Sequence, residues 1–308
     1  MRLIEVRGLV KCFGGVVALS GIDLEASRGA FGFVGPNGAG KTTMVKILLG
    51  LMRASRGEAR IFGLDVWEES FAIRRRVGVL HEKPTFPGWV TGVEFLEYVC
   101  KLKGLREPRK TALKELCFFG LAEAAGRQIG GYSAGMMQRL GLAQAFVGEP
   151  ELVFLDEPTA NLDPLGRAEF LEMVKERCRD GGISVVISTH ILSELERVCD
   201  SVAILFEGAV LEQGGLDELA RKYSEDLCLV DSTDNKRMLE GLERLGSVEG
   251  AWIEEEIVKV KVRDRRRFEK DVVGLAHDLG LGVRRLEPVL SGLEDVYKQV
   301  LRRGGVVE

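Results

Sequence analysis

Short apolar runs recur along the first two thirds of the chain, at 31–34, 152–155, 185–188 and 202–206, with longer stretches of helical spacing between them. That alternation predicts an α/β layer architecture built on a largely parallel sheet. The opening stretch, 3–25, reads differently, as paired short strands about a turn at Gly14 and Gly15, so the sheet is expected to be mixed. From 93 to 145 the strand signal disappears, and Phe95, Leu96, Val99, Leu102, Leu113, Leu116 and Leu121 fall at helical spacing. This predicts a helical subdomain, about 83–148, inserted into the α/β core. After Asp200, strands at 202–206 and 209–213 close a first domain spanning 1–223.

Beyond Ser224 the pattern changes to strand 227–230, helix 236–245, strands 248–253 and 257–262, helix 268–279 and strand 283–286. The order βαββαβ predicts a small α+β ferredoxin-like domain over 224–308, with an amphipathic helix at 292–301 after Pro288. A chain of 308 residues with 45% hydrophobic content can bury both cores.

Charge narrows the choice of partners. A net charge of -4 does not supply the broad basic surface that a phosphate backbone requires, so no nucleic-acid partner is expected. The runs Arg74, Arg75, Arg76 and Arg263, Arg265, Arg266, Arg267 read as solvated faces. Six cysteines are scattered without a CxxC pair and read as reduced, mostly buried small hydrophobes. There is no basic-then-apolar leader and no run of about 18 apolar residues. The expectation is a cytoplasmic chain whose membrane role, if it has one, comes through a partner.

The strongest chemical signal is Gly35, Pro36, Asn37, Gly38, Ala39, Gly40, Lys41, Thr42, which fits GxxxxGK[ST] between an apolar strand and a helix that Thr43 opens. Glycines let backbone N–H groups curl around phosphate oxygens, and the helix N-terminus adds partial positive charge. In a P-loop NTPase fold, Lys41 reaches the β- and γ-phosphates of ATP and Thr42 ligates Mg²⁺. Further on, the strand 152–155 delivers Asp156 and Glu157 at its carboxyl end. Asp156 fits the acid that supports Mg²⁺, and Glu157 the base for an attacking water.

Between these lies Tyr132, Ser133, Ala134, Gly135, Met136, which resembles the signature of ABC ATPases, and the resemblance covers residues 1 to about 220. In isolation Ser133 would read as a helix N-cap. The resemblance implies instead that Ser133 and Gly135 meet the γ-phosphate of ATP held by an opposing subunit in a homodimer. It implies a D-loop at Ala160, Asn161, Leu162, Asp163, a switch histidine at His190, and Phe13 stacked on adenine, although a core position also suits Phe13. Val77 to Glu82 aligns with the Q-loop, where Glu82 stands at the usual glutamine and could ligate Mg²⁺.

That departure, together with Leu286, Glu287, Pro288 and Leu293, Glu294, Asp295, Val296, is similar to the drug, lipid or polysaccharide exporter branch. The resemblance implies an ATPase subunit coupled to a separate membrane permease at the cytoplasmic face. Two alternatives stand beside it: a soluble ABC ATPase of DNA repair, translation or cofactor assembly, and a nucleotide-controlled module that barely hydrolyses. The chain has neither a long coiled-coil insertion nor a second cassette, and it retains Glu157 and His190.

Overall fold

The opening strands are longer than their apolar pattern suggested: β1 (Arg2–Phe13) and β2 (Val16–Ser27) pair antiparallel through the Gly14–Gly15 turn. β3 (Ala30–Val34) is buried along its whole length and leads through the glycine-rich loop into α1 (Lys41–Leu48). β4 (Arg56–Ile61) and β5 (Leu64–Asp65), which the pattern did not reveal, complete a four-stranded antiparallel sheet in the order β2-β1-β4-β5. The structure, a computed structural model, describes residues 2–224, 227–289 and 292–305, without the side chains of 180 and 181. Of the segment 224–308, residues 225, 226, 290, 291 and 306–308 therefore lie outside the described residues.

After α2 (Ser70–Arg74) and β6 (Val77–Leu80) the chain becomes helical, with α3 (Gly92–Leu102), α4 (Pro108–Phe118) and α5 (Ala134–Phe146). Local chemistry starts each of these helices. Thr91 and Glu94 form a reciprocal capping box for α3, Pro108 occupies the first turn of α4, and Ser133 caps α5. There follow β7 (Leu152–Asp156), α6 (Pro164–Gly181), β8 (Ser184–Thr189), α7 (Leu192–Val198), β9 (Ser201–Phe206) and β10 (Ala209–Gly215).

A second sheet has the order β10-β9-β3-β8-β7-β6, parallel except for the β9–β10 pair. Its central strands β3, β8 and β7 are buried along their whole length because both faces are covered, and Phe33 and Phe154 are fully buried in them. Burying each such side chain contributes on the order of 1.5–3 kcal/mol. α5 packs so closely on β6 that a Cβ at Gly78 would lie 1.8 Å from the Ala145 carbonyl oxygen.

The chain folds into two compact units, Met1–Leu216 and Asp217–Glu308. The second holds most of α8 (Leu216–Lys222), then β11 (Leu227–Ser232), α9 (Asn235–Leu242), β12 (Val248–Glu254), β13 (Ile257–Val262), α10 (Arg265–Leu279), β14 (Val283–Pro288) and α11 (Leu293–Arg303). Its strands run antiparallel in the order β12-β13-β11-β14, the split βαβ arrangement of a ferredoxin-like fold. Val230, Met238, Val260, Phe268 and Val272 form its own core. Asp264 accepts from Arg267 N at 3.1 Å, which starts α10 three residues before the apolar spacing does.

Two sequence expectations need correction. Arg74 and Arg75 are exposed as read, but Arg76 is not a free solvated charge. Arg74 donates to the Leu49 carbonyl at 3.2 Å, and Arg76 forms a two-pronged pair with Glu151, at 2.6 and 2.9 Å, while lying over the Phe62 ring. The cysteines are not mostly buried either: Cys100, Cys199 and Cys228 are, Cys178 is half-buried, and Cys12 and Cys117 are exposed.

Candidate functional site

The order β3-β8-β7 sets three carboxyl ends side by side. Val34 stands opposite Thr189, and Ser188 opposite Asp156, so the glycine-rich loop, His190 and the pair Asp156–Glu157 emerge at one edge of the sheet. This is where open α/β sheets place their ligands. The loop has no room for side chains at its ends. A Cβ on Gly35 would lie 2.1 Å from the Leu205 carbonyl oxygen, and Gly40, the N-cap of α1, has φ 100°. Ala18, Asn37, Gly38, Gly40, Lys41, Thr42, Thr43, Glu82 and Glu157 line a cavity of about 180 Å³.

Lys41 is buried, and its Nζ donates to the carbonyls of Gly35 at 2.7 Å and Pro36 at 3.2 Å. Nζ also forms an ion pair with Oε1 of Glu157 at 3.2 Å, a buried oxygen that has no other polar partner among the described residues. Oε2 of Glu157 lies 2.9 Å from Nδ1 of His190. Glu157 itself adopts φ 45°, a left-handed conformation that costs a side-chain-bearing residue energy and is held here by its N–H bond to the Ser188 carbonyl at 2.8 Å. Next to it, Oδ1 of Asp156 accepts from Thr42 Oγ1 at 3.3 Å and from Ser188 Oγ.

Thr42 and Asp156 therefore present hard oxygen donors together, which fits Mg²⁺. Among the described residues no three His, Cys, Asp or Glu side chains converge into a metal cage. Magnesium bound here would take most of its ligands from phosphate and water, as it ordinarily does.

Ser133, Gly135 and Asp163 lie apart from this cavity. They line a second one of about 420 Å³, with Asn161 and Leu162. Ser133 does cap α5, accepting from Met136 N at 3.3 Å, and Asp163 caps α6, accepting from Gly166 N at 2.7 Å. Phe13 is 45% exposed, which overturns its reading as a core residue, and Lys11 Nζ lies 4.9 Å from its ring centre. It does not line the cavity at the glycine-rich loop. Glu82 does, with its side chain about half exposed.

Several polar residues around the site escaped the sequence. Gln138 of α5 donates to the Pro158 carbonyl at 2.6 Å, tying that helix to the loop after Glu157. Glu194 of α7 accepts from both Thr159 and Thr189. Nothing in their spacing marks them, although a buried Gln on the same helix as Leu140, Leu142 and Ala143 is the kind of polar residue that must find a partner.

The family model described as ABC transporter matches residues 19–160. An uncharacterized ABC transporter ATP-binding protein of Bacillus subtilis (strain 168), YxlF, is 34% identical over 313 residues, 97% of this chain and 99% of that protein. The chain belongs to the ABC transporter ATP-binding proteins. Daunorubicin/doxorubicin resistance ATP-binding protein DrrA of Streptomyces peucetius is 34% identical to this ABC protein, covering 96% of it and 91% of DrrA. The uncharacterized ABC transporter ATP-binding protein all4389 of Nostoc sp. (strain PCC 7120) is 42% identical over 66% of this ABC chain, which spans 62% of that relative's length.

Among solved structures, an ATP-binding subunit of an ABC transporter is 32% identical, with TM-score 0.65 over 72% of this chain and 93% of its own. The dimeric bacterial ABC transporter cassette MJ0796 is 25% identical, with TM-score 0.64 over 70% and 99%. The ABC protein is thus a transport ATPase with an ATP-binding cassette, and these relatives do not favour a role in repair, translation or cofactor assembly. Among the described residues no helix is long and apolar enough to cross a membrane.

Proposed function

We propose that this ABC ATPase works as a homodimer, docked through a separate permease at the cytoplasmic face of a membrane, and powers export. The observation that carries the reading is the Lys41–Glu157–His190 cluster at the mouth of the glycine-rich loop, with Ser133 and Gly135 on a second, separate cavity. One chain thus holds two half-sites, and a second copy would bring its Ser133 and Gly135 to the γ-phosphate. The name of the DrrA relative supports export of a drug-like compound.

In this reading the N–H groups of 35–40 cradle the phosphates, and Lys41 exchanges the Gly35 and Pro36 carbonyls for β- and γ-phosphate oxygens. Phe13 offers its exposed ring to the adenine. Thr42, Asp156 and Glu82 would hold Mg²⁺, which neutralises phosphate charge. Glu157 takes a proton from water as its oxygen bonds to the γ-phosphorus, and the bond from that phosphorus to the bridging oxygen breaks, leaving ADP and phosphate. His190 holds Glu157 and the γ-phosphate in register, and Asp163 lies on the loop that would cross to the partner.

Glu157→Gln tests this, since it keeps shape and loses basicity. Hydrolysis should fall about 10²- to 10⁴-fold while ATP still binds. The variant should elute from size-exclusion chromatography as a dimer only with Mg-ATP, and Ser133→Arg added to it should give monomers. A monomer at saturating Mg-ATP, or a dimer indifferent to Ser133→Arg, defeats the proposal.

A further inference from the structure

We infer that Glu194, on α7, is a positioning residue that fixes the distance between Glu157 and His190 by clamping the two loops that carry them. The inference rests on the proposed roles of that pair. Hydrogen bonding between β7 and β8 ends at Asp156 opposite Ser188, just before the two side chains of interest. Beyond that register, one backbone hydrogen bond among the described residues joins the two segments, from Glu157 N to the Ser188 carbonyl. The 2.9 Å contact between Glu157 and His190 must therefore be held by something else.

Glu194 stands in the right place to hold it. Its Oε1 accepts from the hydroxyl of Thr159, two residues after Glu157, and its Oε2 accepts from the hydroxyl of Thr189, one residue before His190, at 2.9 Å. Thr189 Oγ1 in turn accepts from Ile191 N at 3.1 Å, so the chain on both sides of His190 is pinned. Thr159, Thr189 and Glu194 are 1%, 0% and 3% exposed, so water does not compete for these bonds. Gln138 secures the same loop from the other side through Pro158. Glu194 touches neither reacting atoms nor the glycine-rich loop, and the phosphate contacts do not depend on it.

The consequence is a separation of turnover from nucleotide binding. A misplacement of about 1 Å far from the chemistry can cost on the order of 10²-fold in rate. Thr159→Val in the full chain removes one arm of the clamp without changing side-chain size. It should lower kcat by roughly 10- to 100-fold while KM for ATP stays within about twofold. Thr159→Ser, which restores the hydroxyl, should return kcat to within about threefold of the parent.

Full activity in Thr159→Val, an equal loss in Thr159→Ser, or a rise in KM that matches the fall in kcat overturns the positioning role. Glu157→Gln, assayed alongside, separates the two ideas. If it hydrolyses ATP at the parental rate the pair is not the reacting pair and the site reading fails, taking the clamp with it. If it is inactive while Thr159→Val is fully active, the clamp alone is wrong.

Discussion

Arg177 of α6 donates through Nη2 to Oε1 of Glu115 on α4; the carboxylate is buried and the guanidinium largely so, with Phe118 stacked against it. The pair joins the helix that Asp163 caps to the helical segment between β6 and β7. It is incompletely satisfied, since Glu115 Oε2 and Arg177 Nε make no hydrogen bond among the described residues. Burial pushes the Glu115 carboxyl above the ordinary glutamate range even beside the arginine. Removing one partner should leave a buried charge, so Arg177→Met is expected to cost about 3–5 kcal/mol in chemical denaturation. Arg177→Met with Glu115→Leu should recover most of it.

The sign with pH follows from that raised value. A carboxyl whose folded value lies above its unfolded one favours the folded state below the ordinary glutamate range, and that contribution is lost as pH rises through the raised value. The Arg177→Met penalty should therefore shrink on acidification. A double variant no more stable than the single one would show that the pair is not what the single change disrupts.

Lys41→Ala should abolish productive ATP binding, because a methyl group cannot replace the ammonium that compensates the phosphates. The same change frees the Gly35 and Pro36 carbonyls and Glu157 from their present neighbour. Binding of a fluorescent ATP analogue is the direct check. Parental affinity would remove Lys41 from the site.

How much of this was legible beforehand depended on what each residue needs from distant chain. The positions of the glycine-rich loop, Asp156 and Glu157 at strand ends were readable from local patterns, that of His190 came through the family resemblance, and the buried runs marked strands of the parallel sheet. The pairing of β4 with β1 was not, because β4 alternates Arg56, Glu58 and Arg60 with small or isolated apolar residues and makes sense only beside its partner. Glu194, Gln138 and the Arg177–Glu115 pair look like surface residues of amphipathic helices until the fold shows what covers them. Arg76 misled for the same reason, since the Glu151 that occupies it lies elsewhere in sequence.

Glu82 lies on the rim of the cavity that Thr42 and Glu157 line. Near a divalent cation its charge would contribute about 2 kcal/mol at about 4 Å in water. Glu82→Gln should raise the Mg²⁺ concentration required for half-maximal hydrolysis by up to roughly thirtyfold. Magnesium titration of ATPase activity measures this. An unchanged requirement would leave Glu82 without a role at the cation.

The paired guanidinium of Arg76 holds the Glu151 carboxyl below the ordinary glutamate range, with Arg28 nearby. A depressed carboxyl stabilises the fold above its unfolded value, and the benefit is lost as pH falls through the depressed one. Both side chains remain partly exposed, so the contribution should stay under about 1 kcal/mol. Glu151→Gln should lower the thermal midpoint at neutral pH, and the difference should vanish in acid. A gap that persists unchanged at low pH would mean that packing, not charge, is responsible.

β3 carries the glycine-rich loop, yet both of its sheet neighbours, β8 and β9, come from the far end of the first unit. The residues from 35 to 183 must be made before the first neighbour exists. At ribosomal speeds of about 5–20 residues per second, this leaves the loop without its scaffold for roughly seven to thirty seconds. A nascent chain interrupted anywhere before Thr189 would carry the whole phosphate-loop sequence and still have no sheet to hold it open for ATP. Nucleotide capture is thus a late event in the life of each molecule, timed by the ribosome's arrival at β8.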